Sequence, residues 1–353
     1  MVMPLNIALQ FSHSVLNIQP LGNGLINDTY LVSTDVKPFV LQRINKQVFP
    51  QPEQIMANLL VLTQHIEQAN DKQTTLKIPQ LLKTETNNNF FCDGQDNYWR
   101  ALSFIDNTES LETIGNLAQA QQVGFALGQF HRLTHSLDSA KLYDTLPGFH
   151  ITPGYLDHYQ QAKNQSKIPE DAYCADFIAH YQYIVHDLEL AKEQGLLSLR
   201  VIHGDPKLNN FLFDKTSKRI VSIIDLDTVK PGLIHYDIGD CIRSCCHTTA
   251  TDEFNLETCR ILLSSYLKEM GSFFSEYDYQ FLYPAIRLIP FELGIRFYTD
   301  YLEANRYFKV TEPEQNLRRA TGQFLLCASV MVQETGINHL INQLQATKLS
   351  VTQ

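Results

Sequence analysis

The chain lacks long apolar runs and any concentration of positive charge. No stretch approaches the roughly 18 apolar residues that span a bilayer. The start, MVMPLNIALQ, has neither the charged segment nor the long apolar core of a signal peptide. We therefore expect a cytoplasmic protein without a membrane partner. With 28 Lys and Arg against 38 Asp and Glu, no basic stripe is available to neutralise a phosphate backbone, so nucleic acid is not expected to bind.

Paired cysteines are lacking as well. The seven cysteines include no CxxC pair, and their scattered, odd number favours reduced thiols. Cys241, Cys245, Cys246 and His247 are close in sequence, but their spacing matches no common zinc module. Small buried thiols on a helix are the simpler interpretation.

The composition is that of a folded protein with more than one lobe. Apolar residues make up 44% of the chain, and 20 Phe and 16 Tyr are present, which is ample material for a packed core. At 353 residues the chain exceeds the size at which one hydrophobic core usually stops growing. Two lobes with a cleft between them are therefore predicted.

Strand patterns dominate the first hundred residues. The chain should be extended up to Ile18 and turn at Gly22 to Gly24, and apolar residues at helical spacing predict one helix over 53–68. Further strands are predicted over 29–33, 39–44 and 98–105. The short turns favour an antiparallel sheet, and the polar segment 106–110 is expected to be the hinge.

Helical periodicity dominates the rest of the chain. Long amphipathic stretches begin with 117–137 and continue over 155–197, 254–270 and 281–307. Two short strands, 210–213 and 220–224, interrupt them. The prediction is an α+β protein with a small N-terminal lobe at residues 1–105 and a larger, mostly helical lobe at residues 106–353.

Three polar residues follow apolar strand-like segments between Val201 and Asp227. Asp205 is followed five residues later by Asn210 and twenty residues later by Asp225. Phosphoryl transfer needs a carboxylate for the hydroxyl proton and oxygen ligands for a hard cation on the phosphates. The separation of Asp205 and Asn210 resembles the protein-kinase catalytic loop.

The motifs also resemble a family. HGDPKLNN, IIDLD and HYDIGD are similar to the aminoglycoside phosphotransferase and choline kinase superfamily, which implies a bilobal protein-kinase-like fold. LGNGLINDTYLV, FVLQRINKQVFPQPEQIMANL, IDLDTVKPGLIHYDIGDCIRS and FELGIRFYTDYLEANRYFKV resemble N-acetylhexosamine 1-kinases. That resemblance implies an ATP- and Mg²⁺-dependent enzyme that phosphorylates the anomeric hydroxyl of an amino sugar.

The resemblance assigns roles to individual residues. It implies that Asp205 is the base, that Asn210 and Asp225 bind magnesium, and that Arg243, Arg296 and Tyr307 face the sugar. Asp237 resembles an aspartate that braces the catalytic loop, and His203 is expected to orient that loop. ATP is expected to lie under the glycine loop, with its adenine against the hinge backbone; the corresponding cofactor-binding residues are Gly22, Asn23, Gly24, Arg43, Ser103 and Ile105.

Two departures leave alternatives open. Leu25 stands where the family often has His, which implies a changed substrate preference. Arg43 stands where the kinase strand lysine is expected, and Arg is not equivalent to Lys; Glu53 is a candidate partner. The acceptor is open between an amino sugar, choline, homoserine and an aminoglycoside, and the donor between ATP and GTP. The sequence does not fix the oligomeric state. A catalytically dead nucleotide-binding module of the same fold is the alternative to an enzyme.

Overall fold

The computed structural model describes residues 4–22, 26–69 and 76–351. The elements of its N-terminal part are α1 (Leu5–Ala8), β1 (Asn17–Pro20), β2 (Asp28–Ser33), β3 (Phe39–Ile44), α2 (Pro52–Ala69), β4 (Leu81–Leu82), β5 (Phe91–Cys92) and β6 (Tyr98–Ser103). The strands form an antiparallel sheet with the order β1-β2-β3-β6-β4, and β5 also pairs with β6.

Side-chain alternation gives the sheet two different faces. Leu41 of β3 packs on one face with Ala8 and Phe11, whereas Ile44 packs on the other with Ile55 of α2. The first of these contacts explains a difference from the sequence prediction. The chain before β1 is not extended throughout, because the turn of helix α1 brings apolar residues onto the sheet.

The remainder of the chain is mostly helical, and the predicted α+β architecture is confirmed. Its elements are β7 (Thr108–Glu109), α3 (Leu117–Thr134), α4 (Thr152–Gln165), α5 (Ala172–Tyr181), α6 (Asp187–Glu193), β8 (Arg200–Ile202), β9 (Phe211–Asp214), β10 (Ile220–Ile223), β11 (Lys230–Gly232), α7 (Ile234–Cys245), β12 (His247–Thr248), β13 (Glu253–Phe254), α8 (Leu256–Met270), α9 (Glu276–Gln280), α10 (Leu282–Leu302), α11 (Gln315–Val332) and α12 (Glu334–Val351).

Two small ribbons carry the polar residues of interest. β8 pairs with β11, and β10 pairs with β9, which also pairs with β7. The segment expected to be a hinge therefore contributes a short strand to the helical part of the chain. The boundary between residues 105 and 106 stays a prediction.

Two helices of this region, α3 and α8, pack closely against each other. A Cβ at Gly124 of α3 would lie 2.1 Å from the carbonyl oxygen of Leu262 in α8, so glycine is required for this approach.

No single helix of the described ranges has the length and apolar character to cross a bilayer. The bent pair Gln315–Val332 and Glu334–Thr347 meets that test only together.

The cysteine interpretation is confirmed within the described ranges. All seven cysteines are free thiols, and Cys241, Cys245 and Cys246 are buried. The described residues include no group of three or more His, Cys, Asp or Glu that could hold a metal ion. Cys241, Cys245 and Cys246 are therefore part of the core.

Candidate active site

Asp205 lies in a loop that a buried carboxylate holds in place. The loop follows β8, and the backbone N–H groups of His203 and Gly204 donate to the two oxygens of Asp237 at 2.6 and 2.8 Å. Asp237, on α7, is fully buried and also accepts from Nε2 of His131 at 2.9 Å. A carboxylate held by three donors fixes the loop that supplies two of them. These hydrogen bonds are the contacts that the expected bracing role of Asp237 requires.

The same loop is joined to the chain that carries Asp225. Gly204 has φ +86°, and a Cβ there would lie 2.6 Å from the carbonyl oxygen of Thr228. Nε2 of His203 donates to the carbonyl of Ile224 at 3.0 Å, and Nδ1 of His203 accepts from the backbone N–H of Asp205 at 3.3 Å. Burial lowers the pKa of His203. The neutral imidazole orients the loop, as expected from the sequence.

The Asp205 carboxylate stays within reach of a ligand. Its side chain is 26% exposed, and Oδ2 accepts from Nζ of Lys207 at 2.5 Å and from Nδ2 of Asn210 at 3.3 Å. Burial works against the charge of Lys207, but Asp205 and Asp225 outweigh it and raise its pKa. An oriented carboxylate beside a fixed positive charge can accept a hydroxyl proton next to an anionic phosphate.

Asp225 is an open carboxylate in a crowded electrostatic environment. It follows β10 with φ +65°, its side chain is exposed, and it has no hydrogen-bond partner within the described ranges. Desolvation by the surrounding protein raises its pKa to about 6; Lys207 opposes this rise, and Asp227 and Asp205 add to it. A bound cation would relieve this accumulation of negative charge.

Asn210 supplies a second oxygen beside the same loop. Its Nδ2 donates to the backbone carbonyl of Asp205 at 2.7 Å, which leaves Oδ1 as an acceptor. An amide oxygen and a carboxylate fit a magnesium ion, which prefers oxygen ligands and keeps several waters. The donor set at Asn210 and Asp225 therefore suits the predicted metal, with further ligands from water and phosphate.

The nucleotide-binding predictions fall on both described and undescribed residues. Gly22 has φ +71°, which suits a glycine turn. Asn23, Gly24 and Leu25 lie outside the described residues.

The polar groups of Ser103 at the predicted hinge already have partners. Its backbone N–H donates to the Gln80 carbonyl, and its Oγ accepts from the Gln80 N–H, both at 2.9 Å. The Ile105 carbonyl accepts from a neighbouring threonine hydroxyl at 2.7 Å. Adenine contacts at the hinge stay a prediction.

Arg43 lies on the opposite face of the sheet from its neighbour Gln42. Its Nε donates to Asp28 at 2.9 Å, and its side chain is 45% exposed. The structure does not pair it with Glu53, the partner considered from the sequence. Gln42 faces the other way and accepts from Arg100 at 2.7 Å. A phosphate contact by Arg43 stays a prediction, and strand alternation disfavours it.

Arg296 lies among aromatic rings, within electrostatic range of Asp205. Its guanidinium carbon lies 5.0 to 5.7 Å from three ring centroids, those of Phe149, Tyr155 and Phe308. Burial opposes its charge, but the surrounding tyrosines, Glu292 and Asp205 raise its pKa. It forms no ion pair or hydrogen bond within the part of the chain that the structure describes. The guanidinium is therefore free to donate to a ligand.

The other two predicted substrate residues differ in position. Tyr307 is 43% exposed and acts electrostatically on Arg296. Arg243 is occupied within α7, where its Nε donates to Asp240 at 2.8 Å, and its side chain is only 13% exposed. Substrate contacts by Tyr307 and Arg243 stay predictions, and the geometry favours Tyr307.

A sequence profile described as the phosphotransferase enzyme family matches residues 17–271. This chain belongs to the phosphotransferase enzyme family. The match spans the sheet, the loop with Asp205 and the α7 carboxylate Asp237, so it includes the groups brought together above.

Solved structures show where this phosphotransferase resembles known folds. A microcompartment-associated aminopropanol kinase is 17% identical with a TM-score of 0.69, over 95% of this chain and 98% of that one. An aminoglycoside phosphotransferase from Alicyclobacillus acidocaldarius is 14% identical with a TM-score of 0.64, over 99% and 97%. A spectinomycin phosphotransferase in complex with ADP and spectinomycin is 15% identical with a TM-score of 0.62, over 95% and 99%. These neighbours confirm the bilobal protein-kinase-like fold.

Sequence reasoning missed a buried ion pair that contacts the Asp205 loop of this phosphotransferase. His150 has φ +67°; its Nδ1 lies 2.9 Å from Oε1 of Glu292, and its Nε2 donates to the carbonyl of Gly204 at 2.7 Å. Burial opposes the charge on His150, but Glu292 outweighs it and raises the pKa. Glu292 gave one signal, because an ionisable residue inside the apolar run LIPFELGI is rarely buried without a partner. His150 gave none.

Proposed function

We propose that this phosphotransferase transfers the γ-phosphoryl group of ATP to the anomeric hydroxyl of an N-acetylhexosamine. The observation behind the acceptor class is Arg296, whose guanidinium has no carboxylate partner in the described chain, lies among three aromatic rings and is within electrostatic range of Asp205. Arginine donors and aromatic faces suit a neutral, oxygen-rich ring.

The charges around the base argue against a cationic acceptor. Arg296 and Lys207 both act on Asp205 or its surroundings, and two of the neighbouring carboxylates already have basic partners. Glu292 is paired with His150, and Asp240 with Arg243. Structural neighbours named for aminopropanol, ethanolamine and aminoglycosides act on amines, which carry positive charge at neutral pH. Such a charge beside Arg296 would be repelled.

The reaction assigns one task to each group. The acceptor oxygen forms a bond to the γ-phosphorus while the bond from that phosphorus to the bridging β,γ-oxygen breaks, and the hydroxyl proton passes to Asp205 as ADP leaves. Lys207 offsets negative charge on the transferring group. Asn210 and Asp225 would hold magnesium, which when bound neutralises phosphate charge. Gly22 and the hinge backbone would place the nucleotide.

An acceptor panel tests the proposal. ADP release is measured with N-acetylglucosamine, N-acetylgalactosamine, choline, homoserine, aminopropanol and an aminoglycoside, and phosphorus NMR then locates the new phosphate. We expect turnover with an amino sugar and a phosphate on the anomeric oxygen. Turnover with an amine and none with a sugar would refute the hexosamine assignment and leave the phosphotransferase in place. Nucleotide binding without ADP release from any acceptor would favour a binding module.

A pair of arginine variants tests the contact itself. Arg296→Gln should raise the KM for the sugar about 10- to 100-fold, because a buried hydrogen-bonding contact is worth about 1–3 kcal/mol in discrimination. Arg319→Gln is the matched control, since Arg319 also lies over an aromatic ring, 5.6 Å from the centroid of Phe297, but has no link to Asp205 in the structure. Equal KM values for the two variants would remove Arg296 from the acceptor site.

A further inference from the structure

A buried ion pair joins the sheet to the turn that follows Asp225. Arg100 of β6 pairs with Oδ1 of Asp227, and the two side chains are 2% and 3% exposed. Arg100 also donates through Nε and Nη2 to Oε1 of Gln42 at 3.0 and 2.7 Å. The two charged residues are separated by 127 positions in the sequence. This contact therefore links two parts of the chain that no local pattern connects.

The second oxygen of Asp227 reaches the flank of the glycine turn. Oδ2 accepts from Nδ2 of Asn27 at 2.8 Å, and Oδ1 of Asn27 in turn accepts from the backbone N–H of Asn45 at 3.0 Å. Asn27 immediately precedes β2 and lies five residues after Gly22. The Asp227 carboxylate thus holds both the sheet strand and the start of the strand that leaves the glycine turn.

The turn that carries Asp227 also touches the catalytic loop. Thr228 donates from its hydroxyl to the carbonyl of His203 at 2.9 Å, and Thr145 donates to the carbonyl of Asp227 at 2.6 Å. Asp225 begins this turn. A displacement of the turn would move the metal-binding carboxylate and the sheet relative to each other.

We infer that Arg100, Asp227 and Asn27 form an interlobe clamp that sets the position of the nucleotide-binding sheet over Asp225 and balances the charge beside the metal site. Asp227 and Arg100 are positioning residues in this arrangement. Arg100 is not itself proposed as a phosphate ligand, because its Nε and Nη2 donate to Gln42 and Asp227 and its side chain is buried. The expected effects on magnesium and nucleotide binding rest on the proposed function. The expected change in the position of the sheet relative to Asp225 does not.

Neutralising Asp227 and neutralising Arg100 should have opposite electrostatic effects on magnesium binding. Arg100 lies within electrostatic range of Asp225. Asp227→Asn leaves an unbalanced buried cation near the metal site and should raise the magnesium concentration for half-maximal AMP-PNP binding about tenfold. Arg100→Gln leaves an extra anion there and should not raise it. The double variant restores charge balance without the clamp and should require magnesium within about threefold of the unchanged protein.

The experiment combines calorimetric AMP-PNP binding over a magnesium series with small-angle scattering of the ligand-free full chain. Asp278→Asn is the matched control, because the Asp278 side chain, 3% exposed, pairs at 2.7 Å with Arg200, 18% exposed, in the helical region. We expect a larger radius of gyration for Asp227→Asn, Asn27→Ala and the double variant than for Asp278→Asn. Asn27→Ala and the double variant keep the test available if Asp227→Asn does not fold.

The outcomes separate this inference from the proposed function. An Asp227→Asn variant with the scattering profile and magnesium requirement of Asp278→Asn would overturn it, because the pair would then stabilise the fold without positioning the site. Scattering needs no substrate, so it tests the clamp even if the unchanged protein phosphorylates none of the acceptors. An open ligand-free cleft in the clamp variants supports the inference in that case as well.

Discussion

Replacing Glu292 with Gln should destabilise the protein in a way that depends on pH. The Glu292 side chain is 1% exposed, and that of His150 is 4% exposed, so solvent screens the pair very little. Oε2 of Glu292 also accepts from the hydroxyl of Thr152 at 2.7 Å. Glu292→Gln keeps the shape and leaves a buried imidazolium without its counter-charge. The expected loss is about 3–5 kcal/mol, the range for breaking one side of a buried pair.

The direction of the pH effect follows from both partners. The pKa of His150 is raised above its ordinary 6.5, so its stabilising contribution is complete below about that pH and is lost as pH rises through the folded-state pKa. Burial opposes ionisation of Glu292, but His150 outweighs it and holds the pKa below the ordinary 4.5. That contribution is complete above about that pH and is lost as pH falls. The pair is therefore most stabilising between these two values.

Thermal unfolding at pH 6 and pH 8.5 measures the effect. At pH 6 the midpoint of Glu292→Gln should fall by roughly 5–10 °C. At pH 8.5 the imidazole can release its proton, so the loss should shrink to about 1–2 kcal/mol, the value of an imperfect hydrogen bond.

Glu303→Gln is the control, because the His158 and Glu303 side chains form an exposed pair, 51% and 30% accessible. Such pairs contribute about 0–1 kcal/mol. An equal loss for Glu292→Gln at both pH values, or a loss no larger than that of Glu303→Gln, would refute the charged-pair interpretation.

Three further predictions concern the candidate site. Asp205→Asn should keep AMP-PNP binding and lower turnover by about 10²–10⁴, the contribution of a positioned base; near-normal turnover by a folded variant would remove Asp205 from that role. Asp225→Ala and Asn210→Ala should both raise the magnesium requirement in a binding titration, Asp225→Ala more because it removes a charged ligand, and an unchanged requirement in both would contradict the metal assignment. Asp237→Asn should cost about 1–3 kcal/mol in denaturant unfolding and lower kcat with little change in the KM for ATP, because a loop N–H loses its acceptor; a loss of stability with full kcat would show that it braces the fold alone.

The sequence determined the local elements and the order of the candidate catalytic groups. β3 at Phe39–Ile44 has the predicted bounds, and α2 and β10 lie close to theirs, because alternation and helical spacing are properties of neighbouring residues. The separations from Asp205 to Asn210 and Asp225 are likewise short enough to be encoded in one loop and one ribbon.

Only the tertiary structure decided which distant side chains meet. The sequence order favoured Arg43 as the strand cation, whereas sheet register turns it toward Asp28 and places Arg100 on the side that faces Asp227. His150 and Glu292 lie 142 positions apart, and neither leaves a periodic signal. Buried polar groups must find partners wherever packing brings them together, so their pairing depends on the completed fold and cannot be derived from the residues beside them in the chain.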